Sequence, residues 1–304
     1  MKTLTSSEVQ SRAGKATLIH LLPEEHYRCA HLPGAVNACV YEMVFLEKVA
    51  EVVKDKAAPI IVYGGGGGSL DCSTAVEKLE KAGHTDVSAF EGGLAGWLQQ
   101  GLPTEGCGSP PKPDTEAVRT APADGTFTVD TTDSVVRWTG RNLFNHHHGT
   151  LKLASGEITV AGGVLTGARF TLDMDSIANE DLTDPDYNAL LIRHLKDDDF
   201  FAVERFPTAE FACARAEPLP ACTPGTPNFT LHGALTLRGV TRDLSFPAVI
   251  AAADTDHLTG QAQIDLDRTQ FGVNYGSGRL FAFLGKHVVN DQVSLHLKLQ
   301  AKRA

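Results

Sequence analysis

The 304-residue sequence lacks any cluster of lysine and arginine, and its formal net charge is -10 at pH 7. Because binding to phosphate backbones needs such clusters, the composition argues against a nucleic-acid-binding function. No run approaches the roughly 20 apolar residues that cross a bilayer as a helix, so no integral membrane segment is expected. Residues 1–15 have no apolar segment typical of a secretory signal, which predicts a cytoplasmic protein.

Cysteine is also scarce, and no pair of cysteines has the spacing of a metal site. In a reducing compartment these residues are expected to be free thiols. Apolar and charged fractions of 42% and 21% are ordinary for a globular protein, and the length allows two domains with a core each. The six cysteines are Cys29, Cys39, Cys72, Cys107, Cys213 and Cys222.

A proline-rich stretch divides the chain. Residues 106–124 hold four prolines and lack apolar periodicity, a composition typical of a semi-extended linker. Residues 1–105 and 125–304, on either side, differ in hydrophobic period. We therefore predict two domains joined by this linker.

The first domain alternates short apolar runs with helical patterns. Residues 16–22 and 59–64 are predicted to be buried strands of a parallel sheet. Apolar residues at helical spacing within 41–56 predict one helix, and residues 72–82 predict a second that ends at Gly83. This strand–helix order indicates an α/β domain.

After the linker the hydrophobic period becomes two. Apolar and polar residues alternate along 229–237, 258–266 and 293–300, so one face of each strand is apolar, as in antiparallel sheets. Many such strands predict a sandwich or a closed barrel, and closure would remove the exposed strand edges. The only convincing helical pattern in this domain spans residues 187–195.

Three stretches of the first domain resemble rhodanese-like domains, in matching order. They are HLPGAVN at 31–37, VYGGGGGSLDCSTAVEKLEKAGH at 62–84 and FEGGLAGWLQQGLP at 90–103. The resemblance covers residues 1–105 and implies an α/β fold with a parallel sheet.

The same resemblance implies a cysteine thiolate directly after a strand, activated by backbone N–H groups and the following helix. This sequence has Gly64 at that position, and His20 and Leu22 replace the family's Asp and Arg. We therefore expect no catalytic residue and a domain retained as a scaffold or partner-binding module. In an alternative interpretation Cys72, near the start of the next helix, is a displaced nucleophile with a lowered pKa.

The glycine-rich run carries a second alternative. Its backbone N–H groups could form a nest that docks sulfate, phosphate or a persulfide without chemistry. A flexible loop with no ligand is the other interpretation. The candidate anion-binding residues are Gly64, Gly65, Gly66, Gly67, Gly68 and Ser69.

Residues 125–304 resemble the YceI-like family. Matching stretches include GTFTVDTTDSVVRWTG at 125–140, LIRHLKDDDFFAVERFPTAEF at 191–211 and LHGALTLRGVTRDLSFP at 231–247. The resemblance implies a lipocalin-like, antiparallel, eight-stranded barrel that binds isoprenoid lipids, here with one short helix. Such a barrel has room for one small or chain-like ligand.

The candidate lipid-binding residues come from the predicted inward faces of strands and from the segment expected over one mouth. Apolar lining with few polar groups fits a hydrocarbon chain better than a sugar or a nucleotide. A barrel filled by its own side chains would give the same pattern, and the family resemblance favours a cavity. At the mouth, Phe200 and Phe201 would contact a ligand or seal the core. The candidates are Trp138, Phe144, Phe170, Leu172, Leu191, Leu195, Phe200, Leu235, Leu237, Phe246 and Ile264.

A run of three histidines, His146 to His148, suggests a metal site with His194 or His287 as further ligands. Successive side chains of an extended strand alternate in direction, so only His146 and His148 share a face. No carboxylate or cysteine has a helpful spacing. We therefore expect solvated or hydrogen-bonded histidines rather than a metal centre.

The leading hypothesis is a non-enzymatic carrier or sensor whose barrel holds an isoprenoid lipid, polyprenyl or quinone-like, with no required cofactor. The alternative is a rhodanese-type sulfur-handling enzyme that uses Cys72 or couples a sulfur species to a barrel-bound quinone. A metal-dependent hydrolase built on the histidines lacks a nucleophile or base. The expected partner is a long-chain apolar small molecule, and a homodimer is compatible with the sequence.

Overall fold

The chain forms two compact units. The computed structural model describes residues 1–108, 122–219, 222–223 and 225–304. Contacts between Cα atoms divide the chain into Met1–Pro113 and Asp114–Ala304. We describe each unit by itself.

The ends of the predicted linker are held by the unit next to them. The Cys107 N–H donates to the Arg28 carbonyl at 2.9 Å, and the Ala123 N–H donates to the Thr255 carbonyl at 3.1 Å. Residues 109–121, which carry most of the linker prediction, lie outside the described residues. The linker and the domain boundaries therefore stay predictions.

The first unit is a parallel sheet with helices between its strands, which confirms the predicted α/β fold. The strands are β1 (Lys2–Thr3), β2 (Thr17–His20), β3 (Val36–Asn37), β4 (Ile60–Tyr63) and β5 (Val87–Ala89). Their order in the sheet is β1-β5-β4-β2-β3. The helices are α1 (Ser6–Ser11), α2 (Glu24–Cys29), α3 (Phe45–Val52), α4 (Asp71–Lys81) and α5 (Gly93–Gln99).

β4 is apolar along its whole length because the sheet is covered on both faces. Ile60 and Val62 pack into a core with α3 and α4. Ile61 and Tyr63 pack on the opposite face with α1 and α5. The residue that ends α4, Gly83, has a φ of 92°, a left-handed conformation that glycine adopts without strain.

The second unit is an antiparallel barrel. β6 and β7 follow one another and both pair with β8 on one side and β14 on the other, so nine strands of the described chain fill eight positions. Pairing of β13 with β14 closes the ring. The predicted eight-stranded barrel is confirmed. The strands are β6 (Gly125–Val129), β7 (Val135–Arg141), β8 (His146–Ala161), β9 (Val164–Asn179), β10 (Thr208–Pro218), β11 (Phe229–Leu237), β12 (Val240–Ala252), β13 (His257–Asp267) and β14 (Gln292–Arg303).

One α-helix, α6 (Pro185–Lys196), connects β9 to β10 and spans the predicted helical segment. It begins at Asp184, whose carboxylate accepts the N–H groups of Asp186 and Tyr187, and Pro185 suits its first turn. Short 3₁₀ turns at Arg268–Phe271 and Gly285–His287 lie between β13 and β14. None of the helices in the described part of the chain combines the length and the apolar character of a membrane span.

Candidate functional site

The barrel encloses an apolar cavity of about 380 Å³, to which α6 contributes Leu191 and Leu195. A smaller cavity of about 100 Å³ continues from it toward the end of the barrel away from α6. The two cavities share wall residues, among them Leu172 and Leu235. Together they form an apolar interior that runs along the barrel.

The inward side chains of β14 distinguish a hollow barrel from a filled one. Val293, Leu295, Leu297 and Leu299 line the cavities and are only partly buried. A close-packed interior would bury such side chains almost completely. The barrel is therefore not filled by its own residues.

All of the candidate lipid-binding residues except Phe144 line these cavities. Phe170, Phe246 and Ile264 belong to the smaller cavity. The larger cavity contains Trp138, Leu172, Leu191, Leu195, Phe200, Leu235 and Leu237.

Phe144 is a correction to the expected set. It lies in the turn between β7 and β8, is 81% exposed, and contributes to neither cavity wall. The N–H groups of Phe144 and Asn145 both donate to the Asn142 side-chain oxygen, at 2.8 and 2.7 Å. This tight turn leaves the ring in solvent.

Aromatic rings shape the cavity wall. The Trp138 indole N–H donates to the Ala178 carbonyl at 3.2 Å, so its polar atom is satisfied and its ring presents apolar surface. Phe211 lies between Phe170 and Phe246, with ring centroids 6.5 and 5.4 Å away. Phe211 was absent from the candidates, although the β10 alternation places it inward.

The polar lining residues of the larger cavity gather at one end, which we call the mouth. No aspartate or glutamate of the described chain belongs to this lining, although the chain carries a net charge of -10. The lining itself is therefore basic, and Asp181, Asp199 and Asp291 pair with His147, His194 and Arg268 from outside it. Its polar residues are Arg141, Asn142, Asn145, His146, His147, His194, Arg268, Tyr275, Lys286, His287 and Asn290.

Arg268 is a structural cation at the mouth and is only 2% exposed. Its guanidinium donates to the carbonyls of Val273, Tyr275 and Val289 at 2.7, 2.8 and 3.0 Å. Burial lowers its pKa, and Asp291, 3.8 Å away, opposes that shift. Arg268 thereby ties the first part of the β13–β14 connection to its last part, just before β14.

His194 of α6 fixes the aromatic residues over the mouth. Its ring meets Phe200 and Tyr275 edge to face, at centroid distances of 4.8 and 4.6 Å. Phe200 belongs to the larger cavity wall. A ligand in the cavity would therefore meet this ring.

The histidine run divides as strand alternation requires. The rings of His146 and His148 stack at 6.0 Å, whereas His147 Nδ1 lies 2.8 Å from Asp181. Burial would raise the pKa of Asp181, but hydrogen bonds from the His148 N–H, His147 and Asn179 outweigh it and lower the pKa to about 2. Within the described ranges, no three His, Cys, Asp or Glu residues are grouped so as to hold a metal ion.

In the first unit, Gly64 follows β4 and lies against the Asp71 side chain. A Cβ atom on Gly64 would stand 2.3 Å from Asp71 Oδ2. Asp71 is 5% exposed and accepts hydrogen bonds from the Tyr41 and Ser69 hydroxyls. A buried carboxylate thus lies against the position at which the sequence resemblance expects a thiolate.

The glycine-rich loop is shaped by its own contacts. Gly66, Gly67 and Gly68 have φ values of 91°, 79° and 82°, which favour glycine. The N–H groups of Leu94 and Ala95, near the start of α5, donate to the loop carbonyls of Gly64 and Gly65 at 3.0 Å. The nearby Asp71 carboxylate opposes the docking of sulfate or phosphate.

Cys72 lies in the first turn of α4 but faces the core. It is 6% exposed, and its thiol is 3.8 Å from the carbonyls of Val62 and Phe90. Burial raises the pKa of Cys72 to about 11. The expected lowered pKa is wrong, because the thiol points toward the sheet and not toward the solvent-facing helix end.

His20, which the sequence resemblance matches to the family's aspartate, is completely buried. Its ring meets those of Tyr27 and Tyr63 edge to face at 5.6 and 5.2 Å. Burial, with the neighbouring His31 and His26, lowers the pKa of His20 to about 4. The His20 ring is therefore neutral at neutral pH.

A closed antiparallel barrel with a hollow, apolar interior defines a lipocalin-like class of ligand-binding domain. The sequence profile of the YceI-like domain matches residues 127–301, more than half of the chain, and the chain belongs to the YceI-like family. The profile of the rhodanese-like domain matches residues 5–100. Both resemblances found in the sequence are confirmed.

Individual proteins are similar to parts of the chain. The uncharacterized protein YibN of Escherichia coli strain K12 is 30% identical over 105 residues, which are 34% of this chain and 71% of YibN. The crystal structure of BcnA from Burkholderia cenocepacia has a TM-score of 0.45 at 22% identity and covers 57% of this chain and 99% of its own. A polyisoprenoid binding domain from Saccharophagus degradans has a TM-score of 0.42 at 12% identity and covers 59% and 98%.

Proposed function

We propose that the barrel binds one long isoprenoid lipid, polyprenyl or quinone-like, and that the protein is a carrier or sensor of this lipid rather than an enzyme. One observation carries the proposal: the interior is hollow and apolar along the barrel, and its polar groups gather at a single mouth. A site of this form suits an apolar chain with one polar end.

The energetics favour a long chain. Each buried methylene contributes about 0.8 kcal/mol, so one five-carbon isoprene unit contributes up to ~4 kcal/mol. Association costs roughly 4–15 kcal/mol in lost freedom. One or two units therefore bind weakly, whereas several units, placed along both cavities, bind tightly.

The first unit is proposed to act as a scaffold or partner-binding module. Support comes from the Asp71 carboxylate against Gly64 and from the raised pKa of Cys72. Both oppose the thiolate chemistry of a sulfur-handling enzyme.

Two measurements test the proposed ligand. Organic extracts of the purified protein, analysed by mass spectrometry, should contain an isoprenoid lipid. Affinity for a series of isoprenoid alcohols and quinones should then rise with chain length until the cavities are filled. Fluorescence of Trp138 reports binding once Trp97, which is buried in the first unit, is replaced by Trp97→Phe. Affinity that is independent of chain length would refute the proposal.

A further inference from the structure

Large exposed apolar side chains cluster around the mouth of the barrel. The turn at residues 142–145 and the connection at 276–288 both supply mouth residues, and Asn142 is bridged to Val289. These two segments carry a set of exposed leucines and phenylalanines that we call the mouth rim. The mouth rim consists of Leu143, Phe144, Leu280, Phe281 and Phe283.

The mouth rim is held in place by the backbone. The Asn290 N–H donates to the Arg141 carbonyl, and the Val289 N–H donates to the Gly276 carbonyl, both at 2.8 Å. The Ser277 carbonyl accepts the N–H groups of Leu280 and Phe281 at 3.1 and 3.0 Å. These bonds fix the connection beside the mouth and still leave Phe283 completely exposed.

The opposite end of the barrel is different. Hairpin connections alternate between the two ends, so the β8–β9 turn lies away from the mouth. Among the described residues, Val164 beside that turn is the large apolar side chain exposed at that end. The apolar surface is therefore one-sided, and a contiguous patch of this kind marks an interaction site.

The charges at the mouth are complementary to an anionic surface. Lys286 and His287 follow Phe283 of the mouth rim after two residues, and the cavity lining of the described chain contains no acid. Lys286 makes no ion pair with the residues that the structure describes. Acids lie close by, but they are partnered: Asp181, Asp199 and Asp291 pair with His147, His194 and Arg268 at 2.8, 3.8 and 3.8 Å, and Asp198 pairs with Arg205 at 2.7 Å.

We propose that the mouth rim inserts into a phospholipid bilayer that contains anionic lipid, so that the cavity opens directly into the lipid phase. The inference rests on the proposed function, because a long isoprenoid is almost insoluble in water and resides in membranes. Phenylalanine and leucine enter the boundary between head groups and acyl chains, and adjacent cations bind anionic head groups. A ligand then passes between bilayer and cavity without crossing water.

Sedimentation of the full chain with vesicles of mixed phosphatidylcholine and phosphatidylglycerol tests this surface. Wild type should sediment with the vesicles, and the double variant Leu143→Ser, Phe283→Ser should partition at least ~tenfold more weakly. Val164→Ser, an equivalent change at the opposite end, should behave as wild type. Lys286→Gln should weaken partition about fivefold on the mixed vesicles and leave partition on pure phosphatidylcholine unchanged.

The outcomes separate this inference from the proposed function. Farnesol binding, followed through Trp138 without vesicles, should be equal in wild type and in the double variant, because neither replaced residue lines the cavities. Farnesol binding without vesicle partition, or equal partition of wild type and double variant, would overturn the membrane surface alone. Vesicle partition without farnesol binding would overturn the lipid-carrier proposal instead.

Discussion

A Cβ atom added to Gly64 would stand 2.3 Å from Oδ2 of Asp71. Asp71 cannot easily move away, because it is buried and held by the hydroxyls of Tyr41 and Ser69. Asp71 therefore leaves too little space for a side chain at position 64. Gly64 and the buried Asp71 carboxylate therefore depend on each other.

This contact predicts the outcome of placing a cysteine at position 64. Gly64→Cys should lower the free energy of unfolding by about 1–3 kcal/mol, the usual cost of overpacking. Gly65→Cys is the matched control, because a Cβ there meets only a Leu22 methyl group at 3.6 Å. Urea unfolding measures both. A Gly64→Cys variant as stable as the control would contradict the clash.

Sulfurtransferase activity should be absent for a second reason. With a pKa of about 11, Cys72 is a thiolate in on the order of one molecule in ten thousand at neutral pH. We expect negligible thiosulfate:cyanide turnover in wild type and no change in Cys72→Ser. Iodoacetamide should label exposed Cys107 long before Cys72 in the native protein. Turnover that disappears in Cys72→Ser would place the nucleophile there after all.

His20 gives the first unit a defined sensitivity to acid. Its pKa of about 4 in the folded state lies below the ordinary value of 6.5. Above pH 6.5 the His20 ring is therefore neutral in both states and makes the free energy of unfolding no more dependent on pH. As the pH falls from 6.5 toward 4, the His20 ring becomes protonated in the unfolded state but stays neutral in the folded state. Stability should fall over this window by about 3 kcal/mol.

The measurement is the free energy of unfolding of the first unit between these pH values, compared with His20→Leu. The variant keeps a neutral, apolar side chain and should lose the His20 share of the pH dependence. Equal pH dependence in the two proteins would show that His20 is protonated, or solvated, in the folded state.

Much of the fold could be predicted because the alternation of apolar and polar residues along each strand can be read from the sequence. Except for Gly233 and Gly260, every second residue of β11 and β13 is apolar and faces the interior, as period two requires. The side-chain orientation of Cys72 could not be predicted from the hydrophobic period, because it depends on how α4 packs on the sheet. Arg141 and Lys286 were not predicted as mouth residues, because single cations near turns form no periodic pattern in the sequence. They lie close together only because segments distant in sequence pair with each other.

The hollow barrel predicts that one added side chain will block the ligand. Ala209 of β10 lines the larger cavity, and Ala209→Phe would place a ring in space that a ligand chain needs. Affinity for long isoprenoids should fall at least ~tenfold, since the ring displaces about one isoprene unit from apolar surroundings. The fold should be retained, because the ring enters empty space rather than packed side chains.

The matched control lies three residues farther along the same strand. Ala212 pairs with Arg169, an exposed residue on the outer face of β9, so Ala212→Phe adds the same ring outside the barrel and should leave affinity unchanged. Both variants would be titrated with the same long-chain quinone, with Trp138 fluorescence as the readout in the Trp97→Phe background. Short alcohols should be less affected by Ala209→Phe than long ones, because they can occupy the space that remains. Equal affinity of the two variants for the long-chain quinone would mean that the lipid binds outside this cavity.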